Sequence, residues 1–235
     1  REAGQFKTSY QSDQAVFPIR QDRIAVSALL LAVFIAVPLL ADDYWLGSIL
    51  TPLLVLSLAA IGLNILTGYA GQLSLGTAGF MAVGAFAAYN LNIRVPELPL
   101  IVDFLLAGVC AALVGMVFGL PSLRIKGFYL AVATLAAQFF IEWVFTHVGW
   151  FTNYSSSGVI SAPPMHILGF SIGTAVEKYM LTLSVVAVLA LGAKNMVRSR
   201  IGRSWRAVRD RDISAEVIGI PLLSTKLSAF GISSF

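Results

Sequence analysis

Residues 100–120 read Leu100-Ile-Val-Asp-Phe-Leu-Leu-Ala-Gly-Val-Cys-Ala-Ala-Leu-Val-Gly-Met-Val-Phe-Gly-Leu120, with Asp103 the one charge in the run. As a helix rising about 1.5 Å per residue, such a run crosses the roughly 30 Å of a bilayer's hydrocarbon core. Comparable runs recur over Ile24–Ala41, Leu46–Leu66, Gly127–Val148 and Tyr179–Ala193. The 235 residues are 57% hydrophobic and 12% charged, with a mean hydropathy of +0.82. A soluble domain carries about a quarter charged residues, so this chain cannot cover a water-facing surface. A soluble enzyme, a disordered chain and a disulfide scaffold are excluded. The expected fold is all-α, a polytopic transmembrane helix bundle.

The remaining counts narrow the chemistry. The single cysteine, Cys110, lies inside an apolar run, so no intramolecular disulfide or redox pair exists. Two histidines, His147 and His166, supply no metal-ligand cluster. The net charge of +4 reports asymmetry between two membrane faces rather than a nucleic-acid partner. Arg1 opens the chain, and the last apolar stretch, Leu222 to Phe235, is short for a span. The sequence therefore reads as part of a longer one.

Residues 1–23 are polar and aperiodic, a cytosolic tail in this reading. Asp42 to Trp45 make an aqueous turn with interfacial aromatics. Thr67 to Gly79 is dense in glycine, and a short apolar segment, Phe80 to Leu91, follows. Residues 149–178 form a polar loop, and Lys194 to Pro221 is a basic segment. With the N-terminus inside and sides alternating, inner segments hold thirteen Lys and Arg and outer segments two. Such a bias in short loops sets topology, so the N-terminus is expected in the cytoplasm.

Four features could carry function. Gly68-Tyr-Ala-Gly-Gln-Leu-Ser-Leu-Gly76 breaks helical propensity, at about 1 kcal/mol per glycine relative to alanine. Backbone freed at membrane depth survives only where protein or a water-filled cavity satisfies it. The stretch is either a tight turn or a lining of a solute path, with Tyr69, Gln72 and Ser74 as path candidates. Thr134, Gln138 and Glu142 stand at four-residue steps on one helix and share a face, drifting about 40° per step. They are further path candidates, although Glu142 lies close enough to the outer end to reach headgroups. Ala107, Ala111, Gly115 and Gly119 form a row of small residues, a surface for close helix packing. Finally, Arg198 to Pro221 reads as two short amphipathic helices on the inner side, serving lipid contact or docking. No G-x-x-x-x-G-K-[S/T] loop occurs, so any energy for transport comes from another polypeptide or an ion gradient.

Three segments carry a family resemblance. Gly62-Leu-Asn-Ile-Leu-Thr-Gly-Tyr-Ala-Gly-Gln-Leu-Ser-Leu-Gly76, Leu120-Pro-Ser-Leu-Arg-Ile-Lys-Gly-Phe-Tyr-Leu-Ala-Val-Ala-Thr-Leu135 and Ser204-Trp-Arg-Ala-Val-Arg-Asp-Arg-Asp-Ile-Ser-Ala-Glu-Val-Ile-Gly-Ile220 occur in order. They resemble the bacterial branched-chain amino acid ABC transporter permeases, most of all the M-type subunit. Thr152 to Gly158 departs from the glycine-rich outer loop usual in that family.

The resemblance implies a permease domain over 24–235, truncated at its C-terminus and lodged in a bacterial inner membrane, with an interrupted helix. It further implies an H-type permease partner, two cytosolic ATPases that use ATP and magnesium, and a periplasmic binding protein. This chain itself would bind no cofactor or metal and catalyse nothing. The cargo would be leucine, isoleucine or valine, with urea and short amides as the related alternative. Residues 194–221 would be the cytosolic coupling loop, with Arg203, Arg206, Arg209, Asp210, Ala215, Glu216 and Gly219 contacting the ATPase. Outside the family, the rival reading is a stand-alone channel or ion-coupled carrier working through Glu142 or Asp103.

Overall fold

A computed structural model describes residues 20–123, 125, 127–155, 160, 165–167 and 170–235. Most of the expected tail lies outside these residues, as do Arg1, Lys7, Arg124 and Lys126 of the charge count.

Nine α-helical elements follow one another among the described residues, with a short 3-10 helix, Leu120–Leu123, between the fourth and fifth. Helix α1 begins as Arg20–Leu31 and runs through a π-helical turn, Ala32–Ala36, into Val37–Leu40. Pro38 explains the turn, because it has no N–H to continue the ladder. The N–H of Val37 reaches back to Ala32, and the hydroxyl of Tyr179 donates to the Val33 carbonyl at 3.1 Å. A proline defect in one helix is thus met by a side chain of another. Helix α2 is Trp45–Tyr69, with π-helical turns at both ends, Trp45–Leu50 and Ile65–Tyr69.

Helix α3, Thr77–Arg94, is longer than the expected segment Phe80 to Leu91. Glycine density suggested a break through Gly79, but Gly76 and Gly79 serve close packing against another helix. Helix α4 is Leu100–Gly119 and α5 is Phe128–His147. Beyond α5 an antiparallel hairpin pairs β1, Met165–Ile167, with β2, Phe170–Ile172; it is a small addition to a helical bundle. Helix α6, Ala175–Arg198, extends past both ends of the expected Tyr179–Ala193. Its start is fixed by a capping box, where Thr174 Oγ1 accepts from Glu177 N and Glu177 Oε2 accepts from Thr174 N at 3.0 Å. Two short helices follow, α7, Arg200–Asp210, and α8, Asp212–Val217, before α9, Leu222–Ser234.

Helices α2, α4, α5 and α6 are each long and apolar enough to cross a membrane. Their outward faces carry leucines, valines and phenylalanines that are exposed among the described residues. At the basic end, Ile65, Leu66 and Ala70 of the α2 terminus pack with Leu130, Trp205, Ala229 and Phe230. At the opposite end, Phe80, Val83, Ala111, Ile141 and Phe145 join α3, α4 and α5. Leu46, Tyr179 and Leu183 bind α6 to α2 and α1.

The row of small residues on α4 is buried, and much of it receives α9. A Cβ added to Gly119 would stand 2.8 Å from Phe230 Cγ, and one on Gly115 would collide with Ser234. On α2, Gly62 lies so close to α9 that Ser233 Oγ donates to its carbonyl at 2.7 Å. Small residues therefore set the helix spacing here.

Candidate functional site

Helix α2 ends at Tyr69, and no helix resumes until Thr77. Ala70 is still near helical dihedrals and Gly76 stands at φ −94°, ψ 12°, so this extended segment is strand-like only in the alternation of its middle residues. Side chains alternate along this stretch as in a strand. Gln72, Ser74 and Gly76 are buried, while Leu73 and Leu75 point away from the bundle. Gly71 makes the entry turn at φ +68°. The exposed backbone is met piecemeal. Gln72 N donates to Leu66 O at 3.0 Å, Leu75 N to Thr134 Oγ1 at 2.9 Å, and Gly76 N to Ser74 Oγ at 3.3 Å.

Thr134 is therefore an anchor for this segment. It is 1% exposed and passes its own hydroxyl proton to Ala131 O at 2.9 Å. Gly76 lies against the Thr134 backbone, and Gly79 stands where a Cβ would be 3.0 Å from Gln138 Cα. Six residues into α5, Thr134 sits about 9 Å along the helix, so the extended segment reaches below the helix end. The stripe Thr134, Gln138 and Glu142 does not stay on one buried face: Thr134 is buried, Gln138 half-buried and Glu142 exposed. The 40° drift per step, taken twice, turns Glu142 off the packed side. Asp103 is 1% exposed and accepts from Asn92 Nδ2 at 3.4 Å, so it is buried in the bundle rather than directed at headgroups.

The basic segment sits directly beneath the extended one. Trp205 is fully buried and donates from Nε1 to Ser228 Oγ at 3.1 Å. With Gly202 and Val208 it forms the face of α7 turned to the bundle. Arg209 leaves α7 at the edge of that face and reaches the end of α2, where Nη1 donates to Gly68 O at 2.7 Å. The last carbonyls of a helix have no partner of their own and carry the negative end of its dipole. A guanidinium supplies both the donor and the charge. Asp210 holds the other side of that guanidinium, Oδ1 standing 2.9 Å from Nη2.

The other residues of this segment divide by exposure. Arg203, Arg206, Asp210, Glu216 and Gly219 are exposed, whereas Ala215 turns inward at 2% exposure. Ile213, Val217 and Ile218, which sequence reasoning passed over, are among the most exposed apolar residues of the chain. Their signal was three large aliphatics inside an otherwise polar inner segment. Tyr69 is half-buried beside the Trp205 cluster.

At the far end, Arg94 closes α3 onto the turn after α5. Its guanidinium lies 3.7 Å over the Trp150 ring and donates to Trp150 O at 2.9 Å.

A membrane-crossing helix bundle, interrupted between α2 and α3 and packed against an amphipathic basic helix, defines a multi-pass membrane protein. The chain belongs to the family described as branched-chain amino acid transport system / permease component, whose model matches residues 45–235. It is similar to the high-affinity branched-chain amino acid transport system permease protein LivM of Escherichia coli strain K12. That match is 26% identical over 92% of this chain and 55% of the relative. The protein of the same description in Salmonella typhimurium strain LT2 is 26% identical over 79% of this chain and 49% of its own length. The chain thus spans about half the length of the curated relatives it matches. These relatives are named as transport permease components rather than enzymes. No solved structure matches.

Proposed function

We propose that this chain is a permease subunit of an ATP-driven importer that carries branched-chain amino acids, leucine, isoleucine and valine, across a bacterial inner membrane. Its partners in this reading are an H-type permease, a periplasmic binding protein, and two cytosolic ATPases that use ATP and magnesium. The N-terminus and the basic end face the cytoplasm, in keeping with the charge bias. The observation that carries the reading is the grip of Arg209 on Gly68. It ties α7, whose outer face is open to an ATPase, to the end of α2 just before residues 70–76.

The coupling follows from that tie. ATPase closure displaces α7 and α8, Trp205 moves the foot of α9, and Arg209 moves the end of α2. The extended segment between α2 and α3 can flex where a continuous helix would resist. Only a differential contact can shift such an equilibrium, and Arg209 supplies one that depends on where α7 sits.

The test is the double variant Arg206→Ala/Arg209→Ala in the assembled transporter, reconstituted with its binding protein. ATP hydrolysis persists while leucine uptake falls at least tenfold. Uptake at the normal rate would remove the coupling role.

A further inference from the structure

Helix α5 turns one side to the bundle, burying Leu130, Thr134, Ala137, Ile141 and Phe145. Its other side carries Val132, Phe139, Phe140 and Trp143, each between 46% and 62% exposed. Glu142 stands on the exposed side with them. It is the fifteenth of the 20 residues of α5, so about 7.5 Å of membrane-crossing helix lies beyond it. Its backbone oxygen accepts from Thr146 Oγ1 at 2.9 Å, while its carboxylate meets no partner among the described residues.

Headgroups at the nearer surface do not answer this carboxylate. Side chains on a helix lean toward its N-terminus. Helix α5 starts at the basic end, where Leu130 packs with Trp205, and Glu142 lies near the opposite end. The side chain therefore leans back into the span. An ionisable residue within a membrane span faces the interior of a bundle or a water-filled cavity, and pairs there. The surface around Glu142 is thus interior to a larger assembly.

The neighbouring residues agree. Helix α4 turns outward chiefly aliphatics, Leu105, Val109, Leu113 and Val117, and α6 turns outward Val188 and Leu191. Lipid tails accept such faces. On α5 the outward residues around the carboxylate are mainly aromatic, the side chains enriched at the cores of subunit interfaces. A second copy of this chain does not suit the face. Two-fold contact places the same patch on both sides, and like carboxylates would meet among the aromatics. A different chain can bring a lysine, an arginine or an amide.

We propose that this face of α5 seats an unlike membrane-spanning subunit, one of whose helices brings a basic or hydrogen-bond-donating side chain to Glu142 beside Phe139 and Trp143. The pair selects the partner, because a chain with an apolar residue there leaves the carboxylate unmet. Naming that subunit as the H-type permease rests on the proposed function, whereas the face rests on Glu142 and its aromatic surround.

The experiment uses the assembled transporter in native membranes, with the photoreactive residue p-benzoylphenylalanine at position 139 or, as a control on α6, at position 188. Illumination is expected to join position 139 to the H-type permease at least fivefold more than position 188. After extraction in mild detergent, Glu142→Leu copurifies at least fivefold less H-type permease while the chain itself stays monodisperse, and Glu142→Gln loses less. A role in the solute path alone would change uptake and leave this association as it was. Adducts from position 139 to lipid only, to another segment of the same chain or to a second copy overturn the face. So does an undiminished yield of H-type permease with Glu142→Leu. Copurification without an adduct at 139 removes the face and leaves the proposed function standing. Failure of the H-type permease to copurify with the wild-type chain brings down both.

Discussion

Arg209 and Gly71 share one space: a methyl placed on Gly71 would lie 2.5 Å from Arg209 Cγ and 3.2 Å from its Cβ. The arginine stem crosses the glycine on its way to Gly68, so the turn into the extended segment and the reach of α7 depend on one another. Two demands fall on residue 71, a backbone at φ +68° and the absence of a side chain.

Gly71→Ala tests both demands. The left-handed backbone costs about 1–2 kcal/mol for any residue with a Cβ, and crowding against Arg209 adds to it. Arg209→Ala removes the clash with Cγ, though not the 3.2 Å approach to Cβ, and leaves Gly68 O without the arginine donor. The double variant is therefore expected to lose less than the two single losses combined, by at least about 0.5 kcal/mol. Equilibrium unfolding of the four proteins in detergent measures this, and strict additivity would separate the two residues.

Thr134→Val keeps the shape of the side chain and removes the hydroxyl that holds Leu75 N. A buried amide left unmet costs about 1–3 kcal/mol. Amide exchange at Leu75 is expected to quicken in Thr134→Val and return toward the original rate in Thr134→Ser. If Thr134→Val left exchange and stability alone, the extended segment would be held by something else.

Glycines in the bundle split into two sets of opposite sign. Gly115→Ala and Gly119→Ala are expected to destabilise by about 1–3 kcal/mol, because α9 already occupies the space. Gly84 and Gly192 lie within α3 and α6, and an added Cβ at either meets nothing within 4 Å. Alanine there is expected to stabilise by about 0.4–1 kcal/mol through its better helix propensity. Thermal unfolding of the four variants in detergent, side by side, gives the signs.

The helices that cross the membrane were legible because hydropathy and length are local properties. The close seat of α9 on α4 was half legible: small residues at four-residue steps marked a surface, but the sequence did not say which helix came. The length of α3 was hidden by glycines at 76 and 79, since a glycine that makes room for another helix looks like one that breaks its own. The π-helical turns escaped notice as well, although Pro38 and Pro52 sit just after two of them. What a polar residue does was least readable. Thr134, Gln138 and Glu142 share a spacing, yet only packing decides that one anchors a backbone and another faces outward. Gln72 was visible as a polar residue in an apolar chain, but that its buried amide lacks a hydrogen-bond partner shows only in the packed bundle.

The exposed aliphatics of α8 bear on docking most directly. Ile213, Val217 and Ile218 are 75%, 82% and 72% exposed, on a helix fixed to the bundle through Ala215. Under the proposed function, exposed aliphatics of that kind at and just after α8 would meet an apolar cleft of a partner. In that reading the cleft is on an ATPase. Ile213→Glu or Val217→Glu is expected to leave the permease folded and monodisperse while ATPase subunits no longer copurify with it. Ala215→Glu, aimed into the bundle, is expected to destabilise the permease itself, since a carboxylate would be buried without a partner. Arg206→Ala/Arg209→Ala should still retain the ATPase, because those side chains carry motion rather than the apolar contact. The three outcomes are distinct in one affinity-purification experiment. Copurification of ATPase with Val217→Glu and Ile213→Glu at the original yield would move the docking surface elsewhere.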